Sequence, residues 1–208
     1  MPDTSIARVP LLEMKKDFTQ FNTPLPDLDP HKLPSRGDTF GKLEQCRVVL
    51  PFIAYFDAED QQCVDNVANP FCISSRSIAW TVSEVYNNDS SGSIRRTDSV
   101  TTGLSTEKSE SFSHSAGVSV SSSFGVLGAS FDVSLNYQFS YQQNSSYTEY
   151  EVRTREVEFT VGPYSATVVF AKHIWLKSTR SDESWVLGEV EFDANEELHL
   201  KGVSLKDD

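Results

Sequence analysis

Long hydrophobic runs are missing from this chain of 208 residues. With no stretch of about 18 apolar residues, a single-helix membrane anchor is excluded, and any passage into a bilayer must be made by strands. Positive charge is also scarce. Lys and Arg number 18 against 30 Asp and Glu, a formal net charge of -12, and Arg95-Arg96 is a compact basic pair. Phosphate recognition needs cations clustered on one face, so nucleic acid is not an expected partner. The acidic balance reads as a solubility device. The opening MPDTSIARVPLLEMKK has no apolar core of a secretory signal. The expectation is a secreted or released chain, soluble before it meets a membrane, in a mature form or exported by another route.

Catalytic signatures are absent as well. There is no GxSxG, HExxH, P-loop or paired-cysteine metal motif, so the expectation is a protein that is not an enzyme and takes no cofactor. Cysteine is limited to Cys46, Cys63 and Cys72, which leaves one thiol over if a disulfide forms. Cys63 and Cys72 bracket a plausible hairpin loop containing DNVANPF, and they either bridge there or stay as free buried thiols. None of His31, His114, His173 and His199 lies at ligand spacing from a cysteine, so no metal site is expected. Asn88-Asp89-Ser90 and Asn144-Ser145-Ser146 match the glycosylation sequon, a motif too short to carry weight.

Proline is unevenly placed. Pro2, Pro10, Pro24, Pro26, Pro30 and Pro34, six of the nine prolines, precede residue 45. Proline removes ladder donors and fixes φ, so residues 1–45 read as an extended arm wrapping a body, or as a removable pro-segment. Residues 46–208 then read as an elongated β module. Its strand signals are Arg47 to Leu50, Phe52 to Phe56, Ser77 to Tyr86, Glu149 to Val161, Ala166 to Leu176, Trp185 to Phe192 and Leu198 to Leu205. Turns are marked at Asn87 to Gly92 and at Gly162-Pro163. The alternation after Glu149 changes phase near Glu156. A helical period holds only weakly, near Val9 to Phe18. The fold class is all-β, with long twisted antiparallel strands and one amphipathic hairpin.

That hairpin is residues 111–141. Its first arm puts Phe112, His114, Ala116, Val118, Val120, Phe124 and Val126 on one face, and Ser113, Ser115, Ser119 and Ser121 on the other. Past Leu127 the parity switches, as a turn requires. Ala129, Phe131, Val133, Leu135, Tyr137, Phe139 and Tyr141 become the apolar face, against Ser130, Asp132, Ser134, Asn136 and Gln138. Each arm exceeds the about 9–11 residues of a tilted transmembrane strand. Between Glu110 and Glu149 the one acidic or basic side chain, histidine aside, is Asp132, on the polar face.

Small hydroxyl side chains can line a water-filled lumen while the apolar face meets lipid. An unpaired backbone group in hydrocarbon costs several kcal/mol, so one hairpin cannot span alone, and copies must close a barrel together. A half-buried hairpin of a soluble sandwich also alternates. Length and the lack of Lys and Arg, the usual solvent-face residues, favour the lipid reading. A serine-rich fibrous protein is a third reading, opposed by the charged, irregular flanking strands. His114 sits on the apolar face, either at a rim or as a group whose charge changes between about pH 5 and 8.

The stretch VTTGLSTEKSESFSHSAGVSVSSSFG, followed by ASFDVSLNYQFSYQQNSSYTEYEVRTREVEFTVGPYSATVVFAKHIWL, resembles the aerolysin-type β-pore-forming toxins. It looks most like the compact members related to epsilon-toxin, to the mosquitocidal toxins and to monalysin. The resemblance covers about a third of the chain and rests on pattern. It implies a cytolytic, in some members insecticidal, protein whose soluble form is elongated. Such a protein assembles into a homo-oligomeric ring on a target-cell membrane and releases the hairpin, here Phe112 to Tyr141, into a barrel. Many members carry a receptor-binding domain, and no lectin-like module is evident here, so the receptor, glycan or protein, is open. The competing expectation is a non-lytic sugar- or protein-binding β module, with Tyr137, Tyr141, Tyr147 and Tyr150 as a stacking surface.

Overall fold

The computed structural model describes residues 19–51, 71–105, 107, 108, 111, 112, 149–180, 183 and 185–206. Among these residues seven strands follow one another: β1 (Thr39–Pro51), β2 (Phe71–Asn88), β3 (Ile94–Thr102), β4 (Arg153–Val161), β5 (Ser165–Arg180), β6 (Val186–Asp193) and β7 (His199–Ser204). Every pairing among them is antiparallel. The class read from the sequence, all-β with long antiparallel strands, is the one found.

β5 organises the larger sheet. Along one edge it pairs with β2 from Cys72↔Arg180 to Asn88↔Ser165, and β1 lies beyond β2. Its other edge is shared end to end, by β6 from His173 to Thr179 and by β7 from Ser165 to Phe170. The sequence SATVVFAKHIWLKSTR explains this placement. Its β-branched first half has no polar side to offer water, and Ala166 to Ala171 is buried without a break. Beyond Lys172 an alternation returns, with Ile174 and Leu176 fully buried.

Two coverings make that double burial possible. The arm lays Phe21, Leu25 and Leu28 against a cluster of Trp80, Val82, Val168 and Phe170. Trp80 Nε1 donates to Thr23 O at 2.8 Å. On the other side β3 and β4 form a separate two-stranded ribbon. Phe159 and Val161 of the ribbon pack with Val169, flanked by Tyr86 and Leu198. Asn88 pins the turn between β2 and β3: its side-chain amide donates to Gly92 O, Val161 O and Gly162 O at 2.7, 3.2 and 2.7 Å. Its oxygen accepts from the Ser90 amide and hydroxyl. Buried and engaged in this way, Asn88 is a structural staple, and its sequon has no exposed acceptor.

Several boundaries differ from the sequence reading. β1 begins at Thr39, inside the stretch assigned to the arm, and docks Phe40 and Leu43 on the core. Ser111 and Phe112 are helical, where the hairpin pattern places them in a strand. Glu149 to Val152 lie before β4 and are not strand. The phase change near Glu156 is no change of register. Arg153 and Arg155 share the inward parity of Val157, Phe159 and Val161, and Arg155 spends its guanidinium on Asn195 Oδ1, at 3.2 Å, and Glu196 O.

Cys46 is a free, buried thiol whose pKa burial pushes up to about 11, with Arg76 opposing. Cys63 and the side chain of Cys72 lie outside the described residues, as do Phe52 to Phe56 and the arm before Thr19.

Candidate functional site

The amphipathic segment is an insertion between β3 and β4, and the ribbon defines how it is held. Nine pairs run from Ile94↔Val161 to Thr102↔Arg153 without a bulge, so the two residue numbers of every pair add to 255. The ladder stops at Gly103. This residue has φ 92°, and its N–H turns away from β4 to donate to Asp193 O at 2.7 Å. A Cβ there would lie 2.0 Å from Glu151 O, a distance no side chain occupies, so glycine is required by both conformation and space.

Both ends of the insertion then enter the body. Leu104 N–H donates to Tyr150 O at 2.9 Å, and Asn195 N–H donates to Glu149 O at 2.9 Å. Leu104, Phe112 and Tyr150 are buried in one cluster with Ile78, Ile174, Leu176, Val190 and Phe192. Glu107, Lys108, Ser111 and Phe112 are helical. Ser105 Oγ accepts from Lys108 N–H at 3.3 Å in the manner of an N-cap, and Lys108 Nζ donates to Glu191 O at 3.1 Å. Phe112, placed on the lipid face by the sequence pattern, is thus a core residue here at 3% exposure. Tyr150, at 2% exposure and 5.4 Å from the ring of Phe192, is no part of an open stacking surface.

Beneath Tyr150 sits a buried ion pair. Arg76 on β2 donates from Nη2 to Glu149 Oε2 at 2.6 Å, with side-chain exposures of 2% and 16%. The guanidinium also lies 5.7 Å from the centre of the Tyr150 ring. Burial raises the Glu149 pKa above the ordinary carboxylate range, and neighbouring Glu196 adds to this while Arg76 opposes it. The folded state therefore holds the Glu149 proton more tightly than the unfolded chain does, so this group's contribution to stability grows as pH falls through its folded pKa and is lost as pH rises. Wild type should gain stability relative to Glu149→Gln between pH 7 and about 4.5. Paired urea melts across that range check it, and a difference that runs the other way refutes it.

A neighbouring open cleft of about 760 Å³ is lined by Arg153, Arg155, Lys172, Asn195, Glu196 and His199. Its cations are engaged internally: Lys172 pairs with Glu196, and Arg153 with Glu151 at 2.7 Å. Among the described residues no three or more of His, Cys, Asp and Glu group as metal ligands, and no helix is long and apolar enough to cross a membrane.

The remaining hairpin positions, Ser113 to Tyr141 with His114 and Asp132 among them, lie outside the described residues. What the sequence reading missed is the docking apparatus. Ser105-Thr106-Glu107-Lys108 carries a helix-start signal that could have been read, but the partnership of Arg76 with Glu149, 73 residues away, leaves no local trace.

No protein-family profile matches the chain, and no curated protein sequence matches it. Among solved structures, the crystal structure of Cry35Ab1 is similar, with a TM-score of 0.53 and 12% identity over 88% of this chain and 54% of that one. The chain thus spans about half the length of that neighbour, and the likeness is one of fold, a nearly all-β antiparallel architecture.

Proposed function

We propose that this chain is a β-pore-forming toxin, which oligomerises on a target membrane and inserts one hairpin per copy to close a transmembrane β-barrel. The observation that carries this reading is the register of the ribbon. Between Thr102 and Arg153 lie 50 residues, an even number, so the ladder can continue without a bulge until Val126 faces Ala129 across Leu127-Gly128. That tip coincides with the parity switch in the sequence. Continued in this way, Val118 faces Tyr137, Val120 faces Leu135 and Phe124 faces Phe131, while Ser119 faces Asn136 and Ser121 faces Ser134. Every apolar residue then meets the apolar side of its partner strand.

The fold likeness to Cry35Ab1, a β-pore-forming toxin of the aerolysin-like family, supports the same reading. Burying the greasy face in lipid at about 25 cal/mol per Å² would offset the loss of the core contacts of Leu104, Phe112 and Tyr150.

The test uses vesicles and a background free of native cysteines. Dye release and SDS-resistant oligomers are the expected activity. A polarity-sensitive label should report hydrocarbon at Val118, Val120, Val133 and Leu135, and water at Ser119, Ser121, Ser134 and Asn136. Within the oligomer, oxidation should join cysteines placed at Val120 and Leu135, and not at Val120 and Tyr137. Leakage with no alternation between neighbouring positions, or no leakage under any lipid or protease condition, sinks the proposal.

A further inference from the structure

The ribbon has two faces, and they differ in a way the body does not explain. One parity, including Val157, Phe159 and Val161, packs toward β5. The other is exposed along its full length: Arg95, Thr97, Ser99 and Thr101 on β3, opposite Thr160, Glu158, Glu156 and Thr154 on β4. Hydroxyls dominate it, and Thr101 Oγ1 lies 2.9 Å from Thr154 Oγ1. Arg95 pairs with Glu158 and cancels its charge. Glu156, opposite Ser99, has no ion-pair partner among the described residues. This face therefore carries one uncompensated negative charge.

If the ladder continues through the hairpin in this register, as the pore reading requires, this exposed face falls on the side of the serines and of Asp132. In a pore of this kind the ribbon would begin about 25 residues from the tip, more than twice a tilted span of about 9–11, which would leave it outside the hydrocarbon at the mouth of the barrel. A closed barrel turns one face of every ribbon inward, and a ring of like charges at a mouth attracts counter-ions and repels ions of its own sign.

Resting on the pore reading, we infer that the exposed face of β3 and β4 lines the ion path, and that Glu156 is a residue that makes the pore select cations. Repeated once per copy, its carboxylate forms a negative ring, while the Arg95–Glu158 pairs contribute no net charge. Glu156 is solvent-exposed and touches no core cluster, so its replacement leaves the soluble fold intact.

The experiment is reversal-potential measurement in planar bilayers under a KCl gradient, on wild type, Glu156→Gln, Glu156→Lys and, as a control at the exposed Glu189 of β6, Glu189→Lys. Wild-type channels should prefer K⁺. Glu156→Gln should lower the K⁺ to Cl⁻ permeability ratio about twofold or more, and Glu156→Lys should invert the preference. Glu189→Lys should match wild type. Channels that keep wild-type selectivity in Glu156→Lys, or wild-type channels that prefer Cl⁻, overturn the assignment of Glu156 while leaving the pore itself standing. A complete absence of channels from folded protein overturns the pore reading and this assignment with it.

Discussion

Replacing Arg76 by methionine should destabilise the folded protein by about 3–5 kcal/mol, because it strands the Glu149 carboxylate in a site built for an ion pair. Arg76 is among the largest fully buried side chains described, and the charge that compensates it at 2.6 Å comes from a residue at the end of the insertion. Taking both charges out of water is expensive, and the pair recovers that cost only while both members are present. The double replacement Arg76→Met with Glu149→Leu should therefore be far milder than the single, near neutral or even stabilising. Urea midpoints at neutral pH for the two singles and the double complete the cycle. Equal losses in Arg76→Met and in the double variant would mean that Arg76 acts through packing with Tyr150 rather than through Glu149.

The second large effect is expected at Gly103. Alanine there must hold a backbone with φ 92° and place a methyl carbon 2.0 Å from a main-chain oxygen. The conformation alone costs roughly 1–3 kcal/mol. The contact cannot be relieved by a side-chain rotation, because the obstacle is the backbone of Glu151 and Val152. The least costly escape is for residues 149–152 to leave the body, which would remove Tyr150 from its cluster and Glu149 from Arg76. Gly103→Ala should accordingly lower the melting temperature and expose the segment to limited proteolysis near Tyr150, before the sheet itself unfolds. If alanine leaves both the melting temperature and the cleavage pattern unchanged, the tight turn at Gly103 is not what ends the ladder.

Where local chemistry decided the outcome, the sequence was readable. The β-branched run of β5 and the turn at Gly162-Pro163 follow from residue preferences alone, and the alternating β6 and β7 sit where their periodicity puts them. Thr39 to Gln45 was missed because TFGKLEQ has neither alternation nor a β-branched run. It is strand because Phe40 and Leu43 find Phe170 and the arm, a tertiary gain that outweighs weak propensity. Arg155 misled the reading of phase for a related reason. A charged residue on an inward parity looks like a slipped register until Asn195 and the Glu196 carbonyl appear opposite it. The amphipathic hairpin was legible as a pattern, but the residues that dock its two ends were not, since Arg76 and Glu149 are joined only by the fold. His114 as a charge-dependent group and the bridging of Cys63 to Cys72 remain proposals.

The placement of β5 has a mechanical consequence. Because two neighbours share one of its edges and β2 fills the other, β5 cannot shift without tearing ladders on both sides. The ribbon belongs to no ladder of that sheet and is fastened to it by side chains and a handful of single contacts. The molecule is thus divided into a stiff keel and a separate spar. Parting the two would cost the packing of Phe159 and Val161 on Val169 and the Asn88 hydrogen bonds, but no rung of the keel.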